Sequence, residues 1–168
     1  MVSGLILLSD QVTKLWAINA LKGGVILKPL GSDLLWFVLV HNPGLAFGVD
    51  LIPSPILTVV VLLASLGLLG YLIYKPQLPF QFAIPLSLVM GGAFGNLIDR
   101  LRFGYVIDFI SVDLPDFIMD RWPVFNIADS AVSVGIITLL ILNLIPMASS
   151  VPLPQPTPMD NDPSVPTS

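Results

Sequence analysis

Eleven acidic residues stand in this 168-residue chain and every one is an aspartate; there is one histidine and no cysteine. Catalytic zinc usually takes two or three histidine ligands, so His41 alone offers no zinc centre. Without cysteine there is no thiolate, disulfide or Cys-metal site. No metal and no cofactor is expected. The serines have no Gly-x-Ser-x-Gly elbow and no second histidine to serve them. A Ser–Lys dyad of Ser9 or Ser130 with Lys14 has no further support in the pattern. His41 itself reads as a loop residue, because Pro43 and Gly44 follow it and favour a tight turn. What remains for bond-breaking chemistry is carboxylates.

Eight polar residues lie within or beside long apolar stretches: Asp10, Lys14, Asn96, Asp99, Arg100, Asp108, Asn126 and Asp129. Ionisable groups in a bilayer cost about 2.5–3.5 kcal/mol each on insertion scales, so each needs a reason. Asp10 and Lys14 are four apart with the acid first, the favourable order for a helical ion pair. They read as a self-neutralising pair or as a contact to substrate. Asn96, Asp99 and Arg100 stand at i, i+3 and i+4 on one helix face. They read as a network anchoring a helix end, with Asp99 paired to Arg100 or Lys14, or as a grip on substrate backbone. Asp108 falls with Val106, Ile110, Val112 and Leu114 on the apolar face of a strand of period two. A carboxylate there is partly desolvated, which raises its affinity for a proton. Asn126 and Asp129 have the spacing of a capping box at a helix start, where the helix dipole favours a carboxylate. Two carboxylates in unlike environments are what an acid/base dyad needs.

These residues need a scaffold, and the apolar segments supply it. The sequence predicts four membrane spans at about 2–21, 54–74, 80–98 and 128–145. The first lacks a signal peptide's basic start and cleavage site and is expected to be retained. Gly91, Gly92, Ala93 and Gly95 form a small-residue patch that lets helices approach closely. The two long connections, 22–53 and 99–125, lie on one side of the membrane and form a small β-rich cap, with Leu34–Val40 as one strand. The fold class is therefore membrane α-helical with a strand and loop region on one side of the membrane. Residues 1–148 form one integral-membrane domain, and 149–168, with six prolines, is a disordered tail.

Composition agrees with this class. Charged residues make up 11% of the chain, hydrophobic ones 55%, and mean hydropathy is +0.90. Average soluble domains carry about 25% charged residues, so this chain cannot clothe a water-soluble surface. With seven basic residues and no basic patch, nucleic acid is excluded as a partner. Charge counts do not settle orientation: Lys22, Lys28, Arg100, Arg102 and Arg121 lie on the cap side against Lys75 opposite, which by the positive-inside rule leans toward a cytoplasmic cap. On residues alone three readings stay open: a hydrolase, a proton-coupled small transporter or channel component, and a non-enzymatic scaffold. Polar groups gathered at one end suit an interfacial site better than a path across the membrane.

Five blocks occur in order over most of residues 9–146: Asp10-Gln-Val-Thr-Lys14, Asn42-Pro-Gly-Leu-Ala-Phe47, Gly91-Gly-Ala-Phe-Gly-Asn-Leu-Ile-Asp-Arg100, Gly104-Tyr-Val-Ile-Asp-Phe109 and Phe125-Asn-Ile-Ala-Asp-Ser130. In this the chain resembles lipoprotein signal peptidase, or signal peptidase II. The resemblance implies an intramembrane aspartic endopeptidase of the bacterial inner membrane, multi-pass, with its site toward the extracytoplasmic side. Its substrate would be a prolipoprotein, cut before a diacylglyceryl-modified cysteine; membrane lipids would be its other partners, and it would act as a monomer. Carried over by motif, the catalytic pair is Asp108 and Asp129. Asn96, Arg100, Asn126 and Ala128 match positions around the pair, Asp10, Asn42 and Gly44 match the shell beyond, and Lys14 and Asp99 fall within the matching blocks. Pro43 and Leu45 depart from the family's usual small or polar residues and imply a stiffer loop.

The implied chemistry is hydrolysis by two carboxylates sharing one proton. One, Asp129 or Asp108, takes a proton from water while the other polarises the scissile carbonyl. Asn96, Asn126 and Arg100 would orient the substrate, a positioning contribution. The Leu34–Val40 strand with its loop would lie over the site and exclude water.

Overall fold

The computed structural model describes residues 1–31, 33–44, 54–113 and 121–144. Four helices, α1 (Val2–Ala20), α2 (Ser54–Tyr74), α3 (Phe80–Phe103) and α4 (Ile127–Leu144), carry three strands, β1 (Ile26–Leu27), β2 (Leu35–Asn42) and β3 (Val106–Val112). Leu45, Leu114 and the proline-rich tail lie outside the described residues.

Among the described residues three helices are long and apolar enough to cross a membrane: Pro55–Tyr74, Phe80–Phe103 and Ile127–Leu144. The expected fourth span, α1, is not among them, because Asp10, Gln11, Thr13, Lys14 and Asn19 lower its hydropathy. Its burial is nevertheless inside out for a water-soluble helix: Asp10 and Lys14 are buried while Leu5, Leu8, Val12 and Leu15 are exposed. The third helix runs five residues past the expected 98, so Asp99 and Arg100 sit on a helix rather than in a connection. It stops at Gly104, whose φ of +80° gives the left-handed turn that closes a helix, with its N–H on the Arg100 carbonyl at 3.0 Å.

Helix α3 is the hub, packed on α1, α2 and α4. Glycines allow the contact. A β-carbon on Gly92 would strike the Ala128 carbonyl oxygen, and one on Gly95 would meet Asp10 Oδ2 at 2.5 Å. The small-residue patch therefore brings the backbone of α4 and the carboxylate of α1 against α3.

The strands form one antiparallel sheet in the order β1-β2-β3. Phe37 faces Ile110, a one-residue bulge follows, and Val40 then faces Asp108 and Asn42 faces Val106. After the bulge Asn42 lies on the same face as Asp108, two residues along, within side-chain reach. The sheet is fastened to the end of α1 by Ala17, Leu21 and Phe109, with Trp16 and Phe37 rings edge-on at 5.4 Å. The single apolar face expected for β3 is corrected here. Ile107, Phe109 and Ser111 are its uniformly buried set, while Ile110 and Val112, on the face of Asp108, are only half-buried. Asp108 is 1% exposed because polar neighbours and a cavity wall cover it.

Candidate active site

Strand β3 delivers Asp108 and the first turn of α4 delivers Asp129 to one cavity of about 320 Å³. Asn42, Gly44, Asn96 and Arg100 line it from β2, the turn after it and α3. The turn forms because Asn42 Oδ1 accepts the Gly44 N–H at 3.0 Å. A wall begins at Trp122 and Phe125, ahead of α4, and continues on α4 at Ser133 and Val134, where Val134 is exposed on the helix flank. His41 is a strand residue rather than a loop residue, its ring tilted against that of Tyr105 with centroids 4.5 Å apart.

Asparagine side chains set the polarity of the site. Asn126 is the N-terminal cap of α4, and both capping-box bonds are present. The Asp129 N–H donates to Asn126 Oδ1 at 2.8 Å, and the Asn126 N–H donates to Asp129 Oδ2 at 3.2 Å. With its oxygen engaged, Asn126 must present Nδ2 elsewhere, and it donates to Asp108 Oδ1 at 2.7 Å and to Asn96 Oδ1 at 3.0 Å. Asn96 then turns its own Nδ2 to Asp129 Oδ1 at 2.7 Å. Asn42 donates to Asp108 Oδ2 at 2.9 Å. Each of the four carboxylate oxygens thus accepts one N–H. Arg100 donates Nη2 to the Gly44 carbonyl at 3.1 Å, and its buried Nε has no partner among the described residues.

Burial, then the charge of Asp129, pushes the Asp108 carboxyl up to about 7, against the pull of the Asn42 and Asn126 amides. A group titrating there gives up and regains a proton at physiological pH. Among the described residues no cluster of three or more His, Cys, Asp or Glu is arranged to hold a metal ion.

Every sequence-predicted site residue lies at this end of the molecule: two groups, with Asn126 and Ala128 between them. Asp108, Asp129, Asn42, Gly44, Asn96 and Arg100 face the cavity. Asp10, Lys14 and Asp99 form a buried triad outside the cavity lining, with Lys14 at 2.9 Å from Asp10 and 2.7 Å from Asp99. Asn126 is fully buried between the carboxylates, and Ala128 donates its N–H to Asp10 at 3.0 Å. Ser130 donates its hydroxyl to the Asn126 carbonyl and is no partner of Lys14. One contributor was missed. Gln11 donates Nε2 to both Asp10 and Asp99 at 3.2 Å, and its signal was an amide directly beside Asp10. The apolar wall at 122–125 was also missed; apart from its nearness to Asn126, no chemistry-bearing type marks it.

Comparison with known proteins places these features. A sequence model of signal peptidase (SPase) II matches residues 2–145. The lipoprotein signal peptidase of Thermodesulfovibrio yellowstonii is 42% identical over 140 residues, 83% of this chain and 90% of its own. That of Pelodictyon phaeoclathratiforme is 36% identical over 144 residues, 83% of this chain and 85% of its own. A bacterial membrane enzyme solved in meso at 1.9 Å superposes with a TM-score of 0.73 at 29% identity, covering 87% of this chain and 92% of that one.

Proposed function

The chain belongs to the signal peptidase II family, and from that premise we propose that it removes the signal peptide of prolipoproteins on an Asp108–Asp129 dyad, cutting before a diacylglyceryl-modified cysteine. The observation that carries this reading is Asn126, one residue hydrogen-bonded to both carboxylates at the edge of one cavity. Close carboxylates cannot both ionise cheaply, so the pair holds one proton. Asp129 takes a proton from water as the water oxygen bonds to the scissile carbonyl carbon. Asp108 gives its proton to the carbonyl oxygen. The tetrahedral intermediate then collapses: the C–N bond breaks, a proton passes to the leaving nitrogen, and the dyad is left holding one proton again. Asn42, Asn96 and Asn126 hold the two carboxylates in place, and Arg100 and the Gly44 turn face the substrate backbone. The acyl chains lie in lipid along the flank of α4 where Val134 is exposed.

In this reading α1 is the fourth span. Its charges are spent on one another and its outward residues are apolar. The enzyme acts as a monomer in the bacterial inner membrane, with residues 1–148 as its single domain. Its site faces the extracytoplasmic side, against the bare charge count. Of the five cap-side cations, Arg100 is in the site, Lys28 pairs with Asp33 at 2.7 Å, and Arg121 lies 3.6 Å from Asp113. Few are left to report topology.

The test is cleavage of a diacylglyceryl-modified prolipoprotein peptide by the purified protein in detergent. Wild type should cut before the lipidated cysteine, and Asp108→Asn and Asp129→Asn should be silent while folded. Processing by either variant overturns the dyad.

A further inference from the structure

Behind the cavity, Lys14 spends its three ammonium donors on three acceptors: Asp10 Oδ2 at 2.9 Å, Asp99 Oδ2 at 2.7 Å and Asn96 Oδ1 at 2.9 Å. Lys14 is 2% exposed, Asp10 0% and Asp99 1%. Burying three charges is a costly way to fill space, and well-packed apolar residues are often as stable. Neutralising Asp10 so that α1 can insert would need one lysine and one carboxylate. The second carboxylate needs its own reason.

Beyond Lys14 and the shared Gln11 amide, each carboxylate makes one further bond, and the two are alike. Asp10 Oδ1 accepts the N–H of Ala128 at 3.0 Å, and Ala128 directly precedes Asp129. Asp99 Oδ2 accepts the N–H of Ile107 at 3.1 Å, and Ile107 directly precedes Asp108. Each dyad aspartate is therefore held through the N–H of the residue before it by a buried carboxylate, and one ammonium holds both carboxylates. The third donor, on Asn96 Oδ1, turns that amide so that its Nδ2 meets Asp129 at 2.7 Å. Lys14 does not line the cavity.

We propose that Lys14 is a positioning residue that sets the spacing of Asp108 and Asp129, clamping through Asp10 and Asp99 the residue before each. The proposal rests on the dyad reading above. Asp108 stands on a strand and Asp129 on a helix, so no single element fixes their separation. Sharing a proton across the pair and aiming a water at a carbonyl both depend on that separation, and a misplacement near 1 Å can cost about 100-fold in rate.

The test uses Lys14→Met with Asp10→Asn in the full-length protein. The wild-type triad carries one positive and two negative charges, and the double variant carries one negative charge, so the net charge beside the dyad is the same. The net charge is kept, and what goes is the clamp together with the direct pull of Lys14 on the Asp108 charge. Because Lys14 lies off the cavity, KM for the lipopeptide should stay within about twofold while kcat falls about 100-fold. A folded double variant with kcat within about threefold of wild type overturns the clamp. Asp108→Asn and Asp129→Asn run beside it: if either cuts, the dyad reading has failed; if both are silent, the result bears on the clamp alone. Asp99→Ala, which leaves no acceptor for the Ile107 N–H, is the second arm and decides the matter should the double variant not fold. It leaves the charged groups facing Asp108 in place, namely Asp129 on α4, Lys14 on α1 and Arg100 on α3. Freed at Ile107, β3 should let Asp108 drift from Asp129 and toward water, so the alkaline limb of kcat/KM should drop below about 7 and kcat should fall. An unmoved limb with undiminished kcat overturns the proposal.

Discussion

Asn42 gives the most direct reading of the electrostatics. Its Nδ2 donates to Asp108 Oδ2 at 2.9 Å and so favours the ionised carboxyl, opposing the burial and the Asp129 charge that together push this group up to about 7. Asn42→Ala removes a hydrogen bond to a charged acceptor, worth about 1.5 kcal/mol at the low end of its range. At 1.36 kcal/mol per decade this makes the Asp108 proton about tenfold harder to remove. If Asp108 must be protonated to act, the alkaline limb of kcat/KM moves from about 7 to about 8. The ratio of kcat/KM at pH 8 to that at pH 6 is then about 0.1 in wild type and about 0.5 in the variant. Asn42→Asp sets a second negative charge where the amide stood. Unit charges about 3 Å apart repel by between about 1.4 and 6 kcal/mol at effective dielectrics of 80 to 20, so its limb should lie higher again. The assay is a pH series of lipopeptide cleavage, with folding checked at each pH. A limb that stays near 7 in both variants, or moves downward, would refute the assignment of the alkaline limb to Asp108.

Other outcomes follow from the same structure. Gly92→Ala should lower the thermal midpoint in detergent, with an overpacking cost of about 1–3 kcal/mol, because the new β-carbon meets the Ala128 carbonyl and lies 2.7 Å from Val132 Cγ2; an unchanged midpoint would show that α3 and α4 can part freely. Asn126→Ala should lose about 1 kcal/mol with its cap and nearly all activity with its donation to Asp108, whereas Asn126→Ser should keep the cap and the midpoint but remain slow. Asp108 binds its proton more tightly folded than unfolded, so its contribution to stability is full below about 4 and is lost as pH rises through about 7, at most about 4 kcal/mol in all. The thermal midpoint should therefore fall between pH 5 and 8 in wild type, and Asp108→Asn should flatten that slope.

Much of this molecule is determined locally and is legible without coordinates. Helix α2 carries no charge over 21 residues and can only be a span or a core helix. The capping box at Asn126 and Asp129 is a three-residue spacing, and the structure contains both of its bonds. The Asp10–Lys14 pair is a four-residue spacing on one helix. The length of α3 was less legible: the charges from Asp99 onward look like a boundary, but Lys14 across the contact neutralises Asp99 and the helix continues to Gly104.

What pairs across elements was decided only by the tertiary fold. No local pattern says that Asp99 holds the Ile107 peptide, that Asn42 reaches Asp108 only after a bulge in β2, or that Asn126 joins both carboxylates. The face of β3 that carries Asp108 was misjudged for the same reason: burial there comes from α3 and the Asn42 and Asn126 amides, not from an apolar stripe. Periodicity reports which residues share a face of one element. Which face meets which neighbour depends on how closely the helices approach, and here glycines at 92 and 95 let them come near enough for a lysine on α1 to reach carboxylates that hold both a strand and a helix.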